Sequence, residues 1–142
     1  MKQLKDIAAD MGVAYIFADW SRANLVLDGA RLREEGLPVI LDIMPAAGTI
    51  VARTGMLVTT SERMVWFLDA TRMDSTSSED ATTVADMLAL ARQFIARVNA
   101  CGEYRPIDST QWQAEWSMLD ENVSGVCLTF NLVPYGGECI EL

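Results

Sequence analysis

Between Glu79 and Ala100, the residues Val84, Met87, Leu88, Ala91, Phe94, Ile95 and Val98 recur at i, i+3, i+4 and i+7 without a miss. That spacing lays one apolar stripe along an α-helix. Helices draw most of their stability from packing such a face, so the rest of the chain must supply an apolar surface of matching length. Leu90 widens the stripe beside Phe94, making it broader than a coiled-coil seam and suited to the face of a sheet. Both ends carry signals. Thr76 and Glu79 stand at capping-box spacing, and Gly102 offers the left-handed residue that stops a helix.

The surface for that helix comes from segments of period two. Val39, Leu41 and Ile43 alternate with Ile40, Asp42 and Met44 as a buried strand, which Pro45-Ala46-Ala47-Gly48 breaks. Thr49 to Arg53 and Met56 to Thr60 read as strands around Gly55. Ser61-Glu62 is expected to turn the chain into a further strand, Arg63 to Asp69, where Met64, Trp66 and Leu68 alternate with Val65 and Phe67. Trp116 to Asp120 is expected to form a hairpin with Val123 to Val133 about a Glu121-Asn122 turn. Val126, Leu128, Phe130 and Leu132 then face one way, and Cys127, Thr129 and Asn131 the other. Pro134-Tyr135-Gly136-Gly137 ends that strand and leaves a short tail. Near the start, Leu4, Ile7, Ala8 and Met11 predict a short helix stopped by Gly12, followed by a strand over Val13 to Phe17. Residues 19–36 carry no clear period. The order of elements lacks βαβ alternation, so the expected fold is a single α+β domain over 1–142. It has a mainly antiparallel sheet with the long helix and the short N-terminal helix packed on one face.

Histidine is absent from all 142 residues, which removes the usual general base at neutral pH and the commonest zinc and copper ligand. Cys101, Cys127 and Cys139 are odd in number, widely spaced and form no C-x-x-C pair, as expected for free thiols in a reducing compartment. Eleven basic against twenty acidic residues leave a formal charge of -9, which disfavours direct binding to a phosphate backbone. No apolar run approaches the roughly 20 residues of a membrane helix, and no signal peptide opens the chain, so a cytoplasmic location is expected. Asn122-Val123-Ser124 matches a glycosylation acceptor that has no use there.

Carboxylates are the remaining candidates for acid, base or hard-metal chemistry: Asp42, Asp69, Asp74, Glu79, Asp80, Asp108, Asp120 and Glu121. None forms a motif. Glu79 and Asp80 are explained by the dipole at a helix start, and Asp120-Glu121 by a turn. Gly48, Gly55 and Gly136-Gly137 build no phosphate cradle. Trp20, Trp66, Trp112 and Trp116 lack the basic neighbours of a nucleic-acid groove and read as core or protein interface. The expectation is therefore no catalytic residue, no cofactor, no metal site, no nucleic-acid partner and no membrane partner.

Three segments carry a resemblance: Phe94-Ile95-Ala96-Arg97-Val98-Asn99; Gly102-Glu103-Tyr104-Arg105-Pro106-Ile107; and Trp116, Asp120 and Asn122-Val123-Ser124-Gly125-Val126. Over the last third of the chain and the Phe67-Leu68-Asp69 strand, this pattern resembles small structural proteins of prophages, of the tail-terminator or head-tail connector kind. The resemblance implies a ring-forming virion assembly subunit without catalysis, partnered by itself and by tail-tube or connector proteins. The alternative of another class is a small ligand-binding or regulatory module, which predicts an enclosed apolar pocket near Trp66 or Trp112. A third class, an enzyme working through carboxylates or a divalent ion, predicts clustered carboxylates in a cleft.

Overall fold

The computed structural model of the protein describes residues 3–18, 38–70, 76–118, 123–135 and 138–139. The chain opens with α1 (Leu4–Asp10), where Leu4, Ile7 and Ala8 are buried and Gly12 turns the backbone out at φ +71°. At its start the Gln3 N–H donates to the Asp6 carboxylate at 2.8 Å, satisfying an amide that precedes the first turn. Next come β1 (Ala14–Ala18), β2 (Val39–Ile43), β3 (Gly48–Arg53) and β4 (Met56–Ala70). The long helix α2 (Ser77–Ala100) follows, then β5 (Gln111–Met118), β6 (Val123–Leu132) and the two-residue β7 (Glu138–Cys139).

The strands described form one seven-stranded sheet along the path β1-β2-β4-β6-β5, with β3 and β7 both added to β4. All pairings but one are antiparallel, the exception being β1 with β2. The expected α+β class, with a mainly antiparallel sheet and both helices on one face, is what the chain forms. β4 serves two sets of neighbours. Its second half lies between β2 and β6, with Leu41 and Cys127 both opposite Trp66. Its first half has β3 on the side that β2 vacates and β7 on the other.

Ser61-Glu62 is therefore not a turn. The break lies in the partner instead, at Pro45 to Ala47, where β2 ends and β3 begins, while β4 runs straight past. Glu62 stays in the ladder by donating its N–H to the Ala47 carbonyl at 2.9 Å. Thr59 and Glu62 are exposed and Thr60 and Ser61 half-buried, and such a run of polar residues without alternation reads as a turn in sequence. A second correction concerns β5, which begins at Gln111, before the expected Trp116; Met118 is its last described residue. It ends the described path of the sheet, and of its first four residues Gln111, Trp112 and Gln113 are exposed while Ala114 packs on the core. The proposed Glu121-Asn122 turn and residues 19–36 lie outside the described residues.

Helix α2 starts two residues earlier than its apolar stripe implied. Thr76 is its N-cap, with Oγ1 accepting from the Glu79 N–H at 3.2 Å. Val84, Met87, Ala91, Phe94 and Val98 are buried, and Leu88, Leu90 and Ile95 flank them half-buried. They rest on Val65, Phe67, Val126, Leu128, Phe130 and Leu132 of the sheet, with Leu4, Ile7 and Ala8 of α1 closing the same core. Phe94 meets Phe67 edge-on, ring centres 5.4 Å apart at 67°. Burial of one such side chain contributes about 1.5–3 kcal/mol. On the opposite face Val39, Leu41, Ile43, Trp66, Leu68 and Cys127 form a second cluster, so every residue of β2 is buried.

The segments that carry the family resemblance do structural work. Beyond Gly102, at φ +77°, the Asn99 side chain imitates a strand neighbour. Its carbonyl accepts from the Ile107 N–H at 2.8 Å and its amide donates to the Ile107 carbonyl at 3.3 Å. Arg105 donates its N–H to Val133 at 2.8 Å, and Tyr135 donates to Glu103 at 3.0 Å. These bonds fasten the helix exit to the end of β6.

Gly125 permits the closest strand approach. A Cβ there would stand 1.8 Å from the Phe67 carbonyl oxygen, within the β4–β6 ladder. Gly125→Ala is expected to destabilise the protein by roughly 1–3 kcal/mol or more, because backbone rather than a flexible side chain must yield. A denaturant melt would read this as a lower midpoint, and an unchanged midpoint would contradict the packing described.

Candidate functional site

Asp42 is the one charged residue fully buried among the described residues. It sits on the helix-facing side of β2, beyond Ile40, where a carboxylate needs a charged or hydrogen-bonding partner. Two neighbours supply it. The Tyr15 hydroxyl, from β1, donates to Asp42 Oδ2, and Arg63, from β4, donates Nη2 to the same oxygen at 2.5 Å. Pairing brings the three together, since Tyr15 lies opposite Ile40, Phe17 opposite Asp42, and Asp42 opposite Val65, two residues from Arg63. Asp42 Oδ1 and Arg63 Nε are buried with no hydrogen-bond partner. The ion pair is thus made end-on through one oxygen instead of by the two-pronged contact an arginine can offer.

The cluster forms the floor of an open cleft of about 490 Å³, whose walls include Lys5, Phe17 and Tyr104. Burial raises the Tyr15 hydroxyl pKa far above its ordinary value, and the hydrogen bond to Asp42 and that residue's charge push it the same way. Burial likewise raises Tyr104. Both phenols hold their protons through the neutral range, so neither serves as a base there. What the trio can do is bind β1, β2 and β4 to one another and present polar groups to a small molecule in the cleft.

The other carboxylates are scattered. Asp69 is half-buried near the end of β4, Glu79 and Asp80 lie in the first turn of α2, and Asp108 is exposed in the loop before β5. Asp74, Asp120 and Glu121 lie outside the described residues. No three His, Cys, Asp or Glu among the described residues are grouped so as to hold a metal ion. Cys101 ends α2 with its thiol donating to the Val98 carbonyl at 3.1 Å, and Cys127 is buried in the second cluster. Trp66 is buried, Trp112 is half-exposed, and the recess they share is about 200 Å³. Trp20 lies outside the described residues, as does the Trp116 side chain. No helix among the described residues is long and apolar enough to cross a membrane.

Two apolar features are left without a partner among the described residues. The first is the β3–β4 hairpin, in which β3 is exposed throughout and Ile50, 72 % exposed, stands out with Val51 and Met56. Gly55, at φ +80°, makes its tip, and Thr49 and Thr60 share a hydroxyl contact at 2.5 Å near its root. The second is an open groove of about 580 Å³ lined by Ile43, Met44, Pro45, Ala46 and Met64, with Glu62 at its rim. Sequence reasoning named Asp42 but missed Tyr15 and Arg63. The signal for Asp42 was a charge inside the apolar run Val39-Ile40-Leu41-Asp42-Ile43, whereas its partners depend on strand register.

A folded-state tyrosine whose pKa is raised adds stability below the unfolded value, near pH 10, and loses it as pH climbs beyond. Tyr15→Phe is expected to lower stability at pH 7 by about 1–2 kcal/mol through the lost bond to Asp42, and to fall less steeply than the parent above roughly pH 10. Melting curves across that window check both, Tyr104 contributing equally to each protein. Against known proteins, a scan of protein-family models finds no match, and a search of curated proteins finds none either.

Proposed function

We propose that the protein is a self-associating structural subunit and, following the resemblance of its last third, a virion assembly component of the tail-terminator or head-tail connector kind. The observation that carries the first part is the β3–β4 hairpin. Natural sheets blunt their edge strands with charge, proline or a covering element, because an open edge is a template for another chain. β3 has none of these except Arg53 at its end, and pairs only with β4 among the described residues. It also holds Ile50 in water, at a cost that burial against another chain removes.

In this reading the work is done by protein surfaces and not by catalysis. Tail-tube or connector proteins are the partners the resemblance adds. The second reading, a ligand-binding module, draws its support from the unpartnered Asp42 Oδ1 beneath the open cleft. The pocket expected of it near the tryptophans is small and open.

A formal charge of -9 on every copy repels neighbours until salt screens it, with a Debye length of about 8 Å at physiological ionic strength. Light scattering is expected to give a mass above 15.7 kDa that rises with protein concentration and with salt up to physiological strength. Ile50→Asp is expected to weaken association tenfold or more while leaving the melting temperature nearly unchanged, because the residue is exposed. A mass of one chain under every condition, with tight binding of a small polar molecule in the Asp42 cleft, would decide for the second reading.

A further inference from the structure

We infer that the hairpin of one copy docks, head to tail, into the Met44–Met64 groove of the next. This inference rests on the self-associating role just proposed, and it names the surface and the occupant. The groove is an apolar recess, unpartnered among the described residues and within the size range of ligand pockets, lined by half-exposed Met44 and Met64 beside Ile43, Pro45 and Ala46. Methionines suit it to receive side chains of irregular shape. The hairpin presents those side chains in Ile50, Val51 and Met56.

Charge selects the occupant. Residues 48–61 contain no carboxylate and one cation, Arg53, within a chain of twenty acidic and eleven basic residues. The hairpin is thus an exposed apolar segment that an acidic copy of the same chain repels little. Of the two charged residues lining the groove, Arg63 is largely buried and paired with Asp42, so exposed Glu62 is the charge that Arg53 would meet. A chain cannot fill its own groove in this way. Ala47 lines the groove and leads directly into β3, whose extended backbone carries Arg53 roughly 17 Å from Gly48. The two surfaces are different patches of one molecule, so the contact is heterologous and repeats from copy to copy until it closes into a ring or runs on as a filament.

The test exchanges the rim charges. Arg53→Glu and Glu62→Arg are each expected to weaken association, by roughly three- to tenfold for an exposed pair turned into like charges. Glu62→Arg is the more telling, because it makes the chain less acidic and would strengthen association if only overall repulsion mattered. The double variant has the parent's net charge and is expected to recover the parent's association within about threefold. As an independent readout, a mixture of Ile50→Cys and Met44→Cys copies, with oxidised glutathione as the two-electron oxidant, is expected to form a disulfide between the two introduced thiols, one from each kind of copy, located by mass spectrometry of the joined peptides. Association that Glu62→Arg leaves intact or strengthens, a double variant no better than the single ones, or cross-links joining Ile50→Cys copies to each other would overturn the docking and leave self-association standing. A parent protein that stays a single chain at every concentration and salt would overturn both.

Discussion

Four of the six other described strands, β2, β3, β6 and β7, pair with β4, and the sheet is organised about it. Its fifteen residues must find partners for their backbone groups along two edges, and no single neighbour is long enough to serve either edge throughout. On one edge β2 yields to β3 at Pro45 to Ala47, and on the other β6 pairs with the second half while β7 reaches the beginning. Between β2 and β6, Val65 to Leu68 are all buried and apolar. Where only β3 and β7 remain, Val58 alone among the residues from Met56 to Thr60 is buried, and the sheet narrows to the hairpin. The division between core and exposed hairpin is a division of one strand by the number and cover of its neighbours.

The same ladder creates the polar cluster. Burying Asp42 in the centre of the sheet costs more than most hydrogen bonds return, and truncating one partner of such a pair leaves a charge that water cannot reach. Tyr15 and Arg63 satisfy one oxygen and leave the other unpaired, so the trio is a device for holding β1 and β4 at a fixed register about β2 more than a source of net stability. A one-residue slip of either strand would turn Tyr15 or Arg63 to the opposite face and strand the carboxylate. Burial of a charge thereby becomes a penalty on wrong pairings.

Surface chemistry runs in the opposite sense. The chain is strongly acidic, yet its most exposed apolar strand is almost free of charge, and the one ion it carries is positive. An edge strand of a protein selected only for solubility would be expected to carry the common charge. Its absence there, together with an apolar groove at the hairpin's root, ties the proposed assembly to one feature of composition and one of shape.

Sequence by itself determined the elements whose apolar residues repeat without exception: α2 from its stripe of Val84 to Val98, β2 from Val39 to Ile43, and β6 from Val126 to Leu132. It also determined the α+β class, because these periods and their order leave little else. Period is a local property of the chain, and it survives without knowledge of neighbours. Tertiary structure alone decided that β1 joins β2 in parallel, that Ser61 and Glu62 continue a strand, and that β5 begins at Gln111. It alone brought Tyr15 and Arg63 to Asp42, and left Ile50 and Met44 uncovered. Each of these depends on which residues lie across a ladder from one another, and residues 27 and 21 positions apart meet only when register is set. A sequence states which side chains must be buried; the pairing of strands decides what they are buried against, and what remains in water.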